Sequence, residues 1–121
     1  MKQVRQILFY KQYFEEFFSQ QTEKVKDKID EVLFLITIVE RIPVKFLQHI
    51  EGTNGLYEVR IELGSNIYRI FCCFDEGMLI VLFNGFQKKT QKTPKQQITK
   101  AEKLKDEYFN QKKQNDDGSK K

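Results

Sequence analysis

Leu56-Tyr57-Glu58-Val59-Arg60-Ile61-Glu62-Leu63-Gly64-Ser65-Asn66-Ile67-Tyr68-Arg69-Ile70-Phe71-Cys72-Cys73-Phe74-Asp75-Glu76-Gly77-Met78-Leu79-Ile80-Val81-Leu82-Phe83-Asn84-Gly85-Phe86-Gln87-Lys88 contains three strand-like runs, 56–63, 66–75 and 78–88. Two turn signals divide them. Gly64-Ser65 suits a type II′ hairpin with glycine first, and Glu76-Gly77 ends on a residue that tolerates positive φ, so the stretch predicts a three-stranded antiparallel meander. With two residues in each turn, one face carries Tyr57, Val59, Ile61, Leu63, Tyr68, Ile70, Cys72, Phe74, Leu79, Val81, Phe83 and Gly85. That face is apolar and is expected to pack on helices. The other carries Glu58, Arg60, Glu62, Ile67, Arg69, Phe71, Leu82, Asn84, Phe86 and Lys88, with Arg60 directly opposite Arg69 and Asn84 next in line.

Upstream of the meander, residues 4–10 read as a short apolar strand, and Tyr13, Phe14, Phe17 and Phe18 recur at helical spacing. Thr22 is a fitting N-cap for a second helix whose apolar stripe is Val25, Ile29, Val32, Leu33, Ile36 and Val39, ending before Pro43. These stripes are core rather than a cofactor site. His49, Gly52 and Asn54-Gly55 read as a loop. Downstream, Thr93, Pro94 and Gln96 form a capping signal for a last helix reaching about Tyr108, with Ile98, Ala101, Leu104 and Tyr108 as its stripe. The expected class is therefore α+β: an N-terminal strand and two helices packed on an antiparallel meander, then a C-terminal helix. One domain spans 1–109, and the polar, non-periodic stretch 110–121 reads as a disordered tail.

At 121 residues the chain bounds a single core. No apolar run approaches the ~20 residues of a membrane span, and residues 1–5 lack the features of a signal peptide, so a cytoplasmic protein with no membrane partner is expected. Adjacent Cys72 and Cys73 would point to opposite faces of a strand and read as reduced core thiols. The lone histidine has no metal-ligand spacing around it, so neither metal nor cofactor is expected.

Charge is distributed unevenly. Between residues 86 and 103 six lysines (Lys88, Lys89, Lys92, Lys95, Lys100 and Lys103) stand against Glu102 alone, a local excess of +5 in a chain whose net charge is +4. Such a cluster is either a solvated helix start or a polyanion contact. Like charges opposite on a sheet repel, so the arginine pair needs a negative group between them. Glu58 and Glu62, both diagonal to Arg69, can supply it; so can a bound anion. The lysine cluster begins at Lys88 on the same face, which favours convergence on phosphate, with Phe71 or Phe86 available to stack a base.

The order of Leu56-Tyr57-Glu58-Val59-Arg60, Asn66-Ile67-Tyr68-Arg69-Ile70 and Asn84-Gly85-Phe86-Gln87-Lys88-Lys89-Thr90-Gln91-Lys92-Thr93-Pro94, followed by a helix, resembles the RelE/ParE toxin superfamily, in particular its phage-derived HigB-like branch. The resemblance covers Val4 to about Tyr108. It implies a RelE-like fold and the toxin of a type II toxin-antitoxin system: a ribosome-dependent mRNA endonuclease, working without metal, silenced by a HigA-like antitoxin with a helix-turn-helix domain. Cleavage of that kind uses the ribose 2′-hydroxyl as nucleophile on the adjacent phosphate. By the resemblance, Arg69 stabilises the phosphate, Arg60 holds phosphate or the reacting hydroxyl, and Lys88 and Lys89 position the leaving oxygen and bind backbone. Asn84, Phe86, Lys92 and Lys95 are then RNA contacts. The matched motifs contain no histidine, and Glu58 or a lysine is left as the candidate base. ParE-like inhibition of DNA gyrase and a noncatalytic nucleic-acid-binding phage accessory role are the alternatives.

Overall fold

A computed structural model describes residues 2–119; of the expected tail, residues 120–121 lie outside the described residues. The elements are β1 (Gln6–Phe9), α1 (Tyr13–Ser19), α2 (Glu23–Ile38), β2 (Leu47–His49), β3 (Tyr57–Leu63), β4 (Asn66–Asp75), β5 (Leu79–Lys88) and α3 (Lys95–Ser119). Five strands form one mixed sheet in the order β1-β5-β4-β3-β2. β1 runs parallel to β5, pairing Gln6 with Leu79 and Phe9 with Leu82, and the remaining pairs are antiparallel. No helix among the described residues is long and apolar enough to cross a membrane.

Helix α2 starts where Thr22 accepts a hydrogen bond from the Val25 amide at 3.3 Å, which satisfies one of the amides that a helix start leaves unpaired. Its other end is closed from a distance: the Arg5 guanidinium donates to the carbonyls of Ile36, Val39 and Glu40. Val25, Ile29, Val32, Leu33 and Ile36 are buried against Val59, Ile61, Tyr68, Ile70, Cys72, Ile80 and Leu82 of the sheet, together with Phe14 and Phe17 of α1. Gly85 lies directly beneath Phe17. A Cβ there would stand 2.6 Å from the ring, so the close approach of α1 to the sheet requires glycine.

The second hairpin departs from its expected register. Three residues, Glu76, Gly77 and Met78, connect β4 to β5 rather than two, with positive φ at Glu76 and Gly77. One extra turn residue exchanges the faces of β5. Cys72 therefore faces Leu82, so Ile80 and Leu82 join the α1/α2 core, whereas Val81 and Phe83 take the opposite face. Between Ile70 and Cys72 a bulge sets Phe83 and Asn84 against Phe71, and beyond it Ile70 pairs with Gly85 and Arg69 with Phe86. The bulge restores the parity that the turn had changed, which returns Gly85 to the α1 side.

The opposite face is not an open polar surface. Leu56, Phe71, Cys73, Val81 and Phe83 form a second core beneath Ala101 and Leu104 of α3, with Ile98 and Tyr108 beside them. Both cysteines are free and buried. Burial pushes the Cys73 thiol up to about 12, so it stays protonated at neutral pH. α3 begins at Lys95, and Pro94 stands one place earlier than expected, its carbonyl accepting from Gln97 and Ile98. At its other end α3 continues beyond Tyr108 to Ser119, into the stretch read as tail. A buried carboxylate accounts for part of this length. Asp75, at the end of β4, accepts from the Tyr108 hydroxyl at 2.6 Å and from Lys112 at 2.9 and 3.0 Å, and Lys112 also meets Glu76 at 3.0 Å. A single polar anchor of this kind is invisible to a search for apolar periodicity.

Gly85→Ala is expected to cost about 1–3 kcal/mol by overpacking, measured as a lower urea midpoint at unchanged slope. Burial raises the Asp75 pKa, but the Tyr108 and Lys112 hydrogen bonds outweigh it and hold the carboxyl below its usual range. Asp75 thus stabilises the fold above its unfolded pKa of about 3.9, and that contribution is lost as pH falls through the lower folded value. Asp75→Asn should flatten the acid limb of a stability–pH profile recorded by thermal unfolding.

Candidate nucleic-acid interface

β3 and β4 hold the arginine pair as expected, with Arg60 opposite Arg69 and Glu58 opposite Phe71. Their environments differ. Arg69 is 1% exposed, whereas Arg60 is half-buried at the rim. One oxygen of the buried Glu58 carboxylate serves both, lying 3.3 Å from Arg69 Nε and 3.6 Å from Arg60 Nε. The Arg60 contact is too long for a hydrogen bond and the Arg69 contact is not aligned as one, so both Nε donors are buried without an acceptor. Arg69 otherwise donates to the Tyr68 carbonyl at 3.2 Å, and Arg60 donates to the Gln48 side chain at 3.0 Å. Burial first, and then the nearby Arg60 charge, pull the Arg69 pKa down from its usual value, with Glu58 and Glu62 opposing them.

The negative group between the arginines is therefore Glu58. Exposed Glu62 also acts on Arg69, and of the two arginines only Arg60 reaches toward solvent.

Asn84 does not stand next to Arg69; Phe86 does. The bulge turns Asn84 toward α3, where its amide donates to Gln97 at 3.2 Å and its oxygen is buried without a partner. Phe71 is wholly buried and unavailable to a base. It lies under Phe86, with ring centroids 5.5 Å apart and planes 21° from parallel, so half-buried Phe86 is the aromatic surface that reaches the rim. Lys88 pairs with Ile67, one pleat repeat or roughly 7 Å beyond Phe86 along the strand. Lys88 is half-buried, and Lys89, Lys92 and Lys95 are exposed.

The Lys88-Lys89 pair and Arg60 line separate hollows. The first, about 410 Å³, is formed by Ile67, Lys88, Lys89, Thr90 and Gln91. The second, about 240 Å³, lies at the β3 edge between Lys28, Val32, Lys45, Phe46, Arg60, Glu62 and Gly64. Gln48, Lys28 and Lys45 escape a reading of the sequence because β2 spans three residues, too few to show alternation, and Lys28 looks like any solvent-facing helix position. His49 lies on β2, exposed, its ring edge-on to Tyr57 at 5.2 Å and its Nε2 3.1 Å from the Thr53 carbonyl. It takes no part in this face.

The family described as Phage derived protein Gp49-like matches residues 16–106. Among solved structures, the archaeal RelE-RelB complex from Pyrococcus horikoshii contains a chain similar to this one at 19% identity and a TM-score of 0.52, over 74% of this chain and 99% of that chain. The RelB-RelE antitoxin-toxin complex from Methanococcus jannaschii gives 20% identity and a TM-score of 0.50, over 65% and 87%. At these identities the likeness is one of fold, and the fold is RelE-like. No curated protein matches.

Because Arg69 is buried, its removal reaches the fold as well as the site. Arg69→Ala should cost on the order of 2–5 kcal/mol, from a cavity and a half-stranded Glu58, whereas Lys89→Ala at the exposed cluster should stay within about 0.5 kcal/mol. Urea denaturation of the two variants checks the contrast.

Proposed function

The chain belongs to the phage-derived Gp49-like family, its match spanning residues 16–106, and from that premise we propose that it is the toxin of a type II toxin-antitoxin pair, of HigB-like type, acting on messenger RNA at the ribosome. The observation that carries the reading is the set of cations on this sheet, Arg60 half-buried on β3, Lys88 half-buried at the end of β5, and Lys89, Lys92 and Lys95 exposed after it, on a RelE-like fold. Its partners would be the ribosome with its message and a helix-turn-helix antitoxin covering this face, and its compartment the cytoplasm.

Cleavage would proceed by in-line attack of a ribose 2′-hydroxyl on the neighbouring phosphorus, giving a 2′,3′-cyclic phosphate and a 5′-hydroxyl. The protein must align the hydroxyl, balance charge developing on the phosphoryl oxygens and assist the leaving oxygen. In this reading Arg60 and Lys88 meet the scissile phosphate, Lys89 meets the leaving oxygen, and Arg69 adds its charge from beneath without leaving the sheet. Phe86 offers a partial stacking surface; Lys92 and Lys95 hold the flanking backbone. Asn84 acts through Gln97, fixing the start of α3 beside the lysines.

A noncatalytic nucleic-acid-binding role is favoured by one observation, the placement of Glu58 within 3.6 Å of both arginines. Regulated expression in a bacterial host, followed by mapping of transcript 5′ ends, separates the readings. Growth arrest with codon-phased cuts confined to translated regions is expected, and Lys88→Ala/Lys89→Ala should reduce those cuts about 10- to 1,000-fold. Arrest with intact transcripts and DNA damage would point to gyrase instead, and no arrest to a binding protein.

A further inference from the structure

The lysines draw attention by their number, but the most constrained acid on this face is buried between the two arginines. Glu58 is 8% exposed. Its Oε2 lies between the two Nε atoms, 3.3 Å from Arg69 and 3.6 Å from Arg60, in a sheet register that forces the two guanidinium groups together. Without it the pair would repel across the strands. Yet the carboxylate does not consume what it neutralises: Arg60 Nε and Arg69 Nε remain buried donors with no acceptor. A charge-assisted hydrogen bond is about twice as strong as a neutral one. The carboxylate thus balances charge at the two buried Nε atoms, while the outer end of Arg60, held only by Gln48, remains for an anion at the rim.

The two arginines are not equivalent in this respect. Arg69 is 1% exposed and donates to a main-chain carbonyl, so it is out of reach of an anion at the rim. Arg60 is tied at the rim to a neutral amide, Gln48, itself exposed on β2. A phosphate oxygen arriving at the rim would replace a neutral acceptor by an anionic one at Arg60, while Glu58 keeps Arg69 in place.

We propose that Glu58 is a positioning residue: a resident counter-anion that sets the guanidinium of Arg60 for an RNA phosphate and holds Arg69 beneath it. This rests on the ribonuclease reading above. No proton is assigned to Glu58, which separates this role from that of a general base. Removing its charge frees Arg60 to bind phosphate but leaves its direction unset. Binding and turnover should then part company.

The test compares wild type with Glu58→Gln, which keeps the shape, and Glu58→Asp, which keeps the charge. Each is assayed for thermal unfolding, for binding of a 2′-O-methyl RNA oligonucleotide that cannot be cut, and for cleavage of message on programmed ribosomes over a range of pH. Glu58→Gln is expected to bind the oligonucleotide at least as tightly as wild type while cleaving roughly 10- to 100-fold more slowly, with the pH dependence of the residual activity unchanged. Glu58→Asp is expected to recover most of the rate. Equal losses of binding and cleavage, full activity in Glu58→Gln, or loss of one limb of the pH profile would each overturn the role. If Glu58→Gln fails to fold, Glu58→Asp decides: wild-type binding with wild-type cleavage or a modest loss supports the role, and joint loss overturns it. A wild-type protein that neither binds nor cuts RNA overturns the ribonuclease reading, and this proposal with it.

Discussion

One carboxylate shared by two arginines on neighbouring strands is the constraint around which this face is built. The register of β3 against β4 brings Arg60 and Arg69 together, and neither strand can slip by a residue without exchanging its core and cationic faces. Burial raises the stakes. Arg69 is enclosed at 1% exposure, so its charge needs a partner in the sheet, and Glu58 supplies it at 3.3 Å. A buried charge cluster of this kind is poor evidence for stability, since packed apolar groups would do as well or better. Its one outlet toward solvent is Arg60, half-buried at the rim.

Two backbone irregularities determine what surrounds that cluster. The three-residue turn and the bulge in β5 each shift the β4–β5 register by one, and together they leave Phe86 beside Arg69 and Lys88 beyond it. Between them they send Val81 and Phe83 to the second core, beneath α3. Asn84, which ordinary alternation would have kept with the arginines at Arg69's side, instead meets Gln97 of α3. Fold and site are thus coupled through β5: the strand that closes over Phe17 at Gly85 presents Phe86 and Lys88 immediately afterwards.

Much of this was legible in the residues themselves. The Gly64-Ser65 turn places Arg60 opposite Arg69, the Thr22 cap starts α2, and the 56–88 stretch reads as strands throughout because its β-branched and aromatic alternation is long. What escaped was decided by tertiary context. Whether Glu76-Gly77 closes a two- or a three-residue turn is not written in its dipeptide, and a bulge leaves no compositional mark in Phe83-Asn84-Gly85. The three residues of β2 are too few for a period. The length of α3 depends in part on Lys112 finding Asp75 across the fold, and the burial of Arg69 falls on a face that alternation marks as polar. The cationic character of the site was visible; its division into a buried arginine, a rim arginine and exposed lysines was not.

The most direct measurement is the chemistry of the ends that the purified protein makes when it is mixed with ribosomes carrying a defined message. Cuts within the occupied codon, leaving a 2′,3′-cyclic phosphate upstream and a 5′-hydroxyl downstream, are the expected result. Intact message, or fragments bearing 5′-phosphates, would contradict a site in which Arg60 and the Lys88-Lys89 pair assist attack by the ribose hydroxyl.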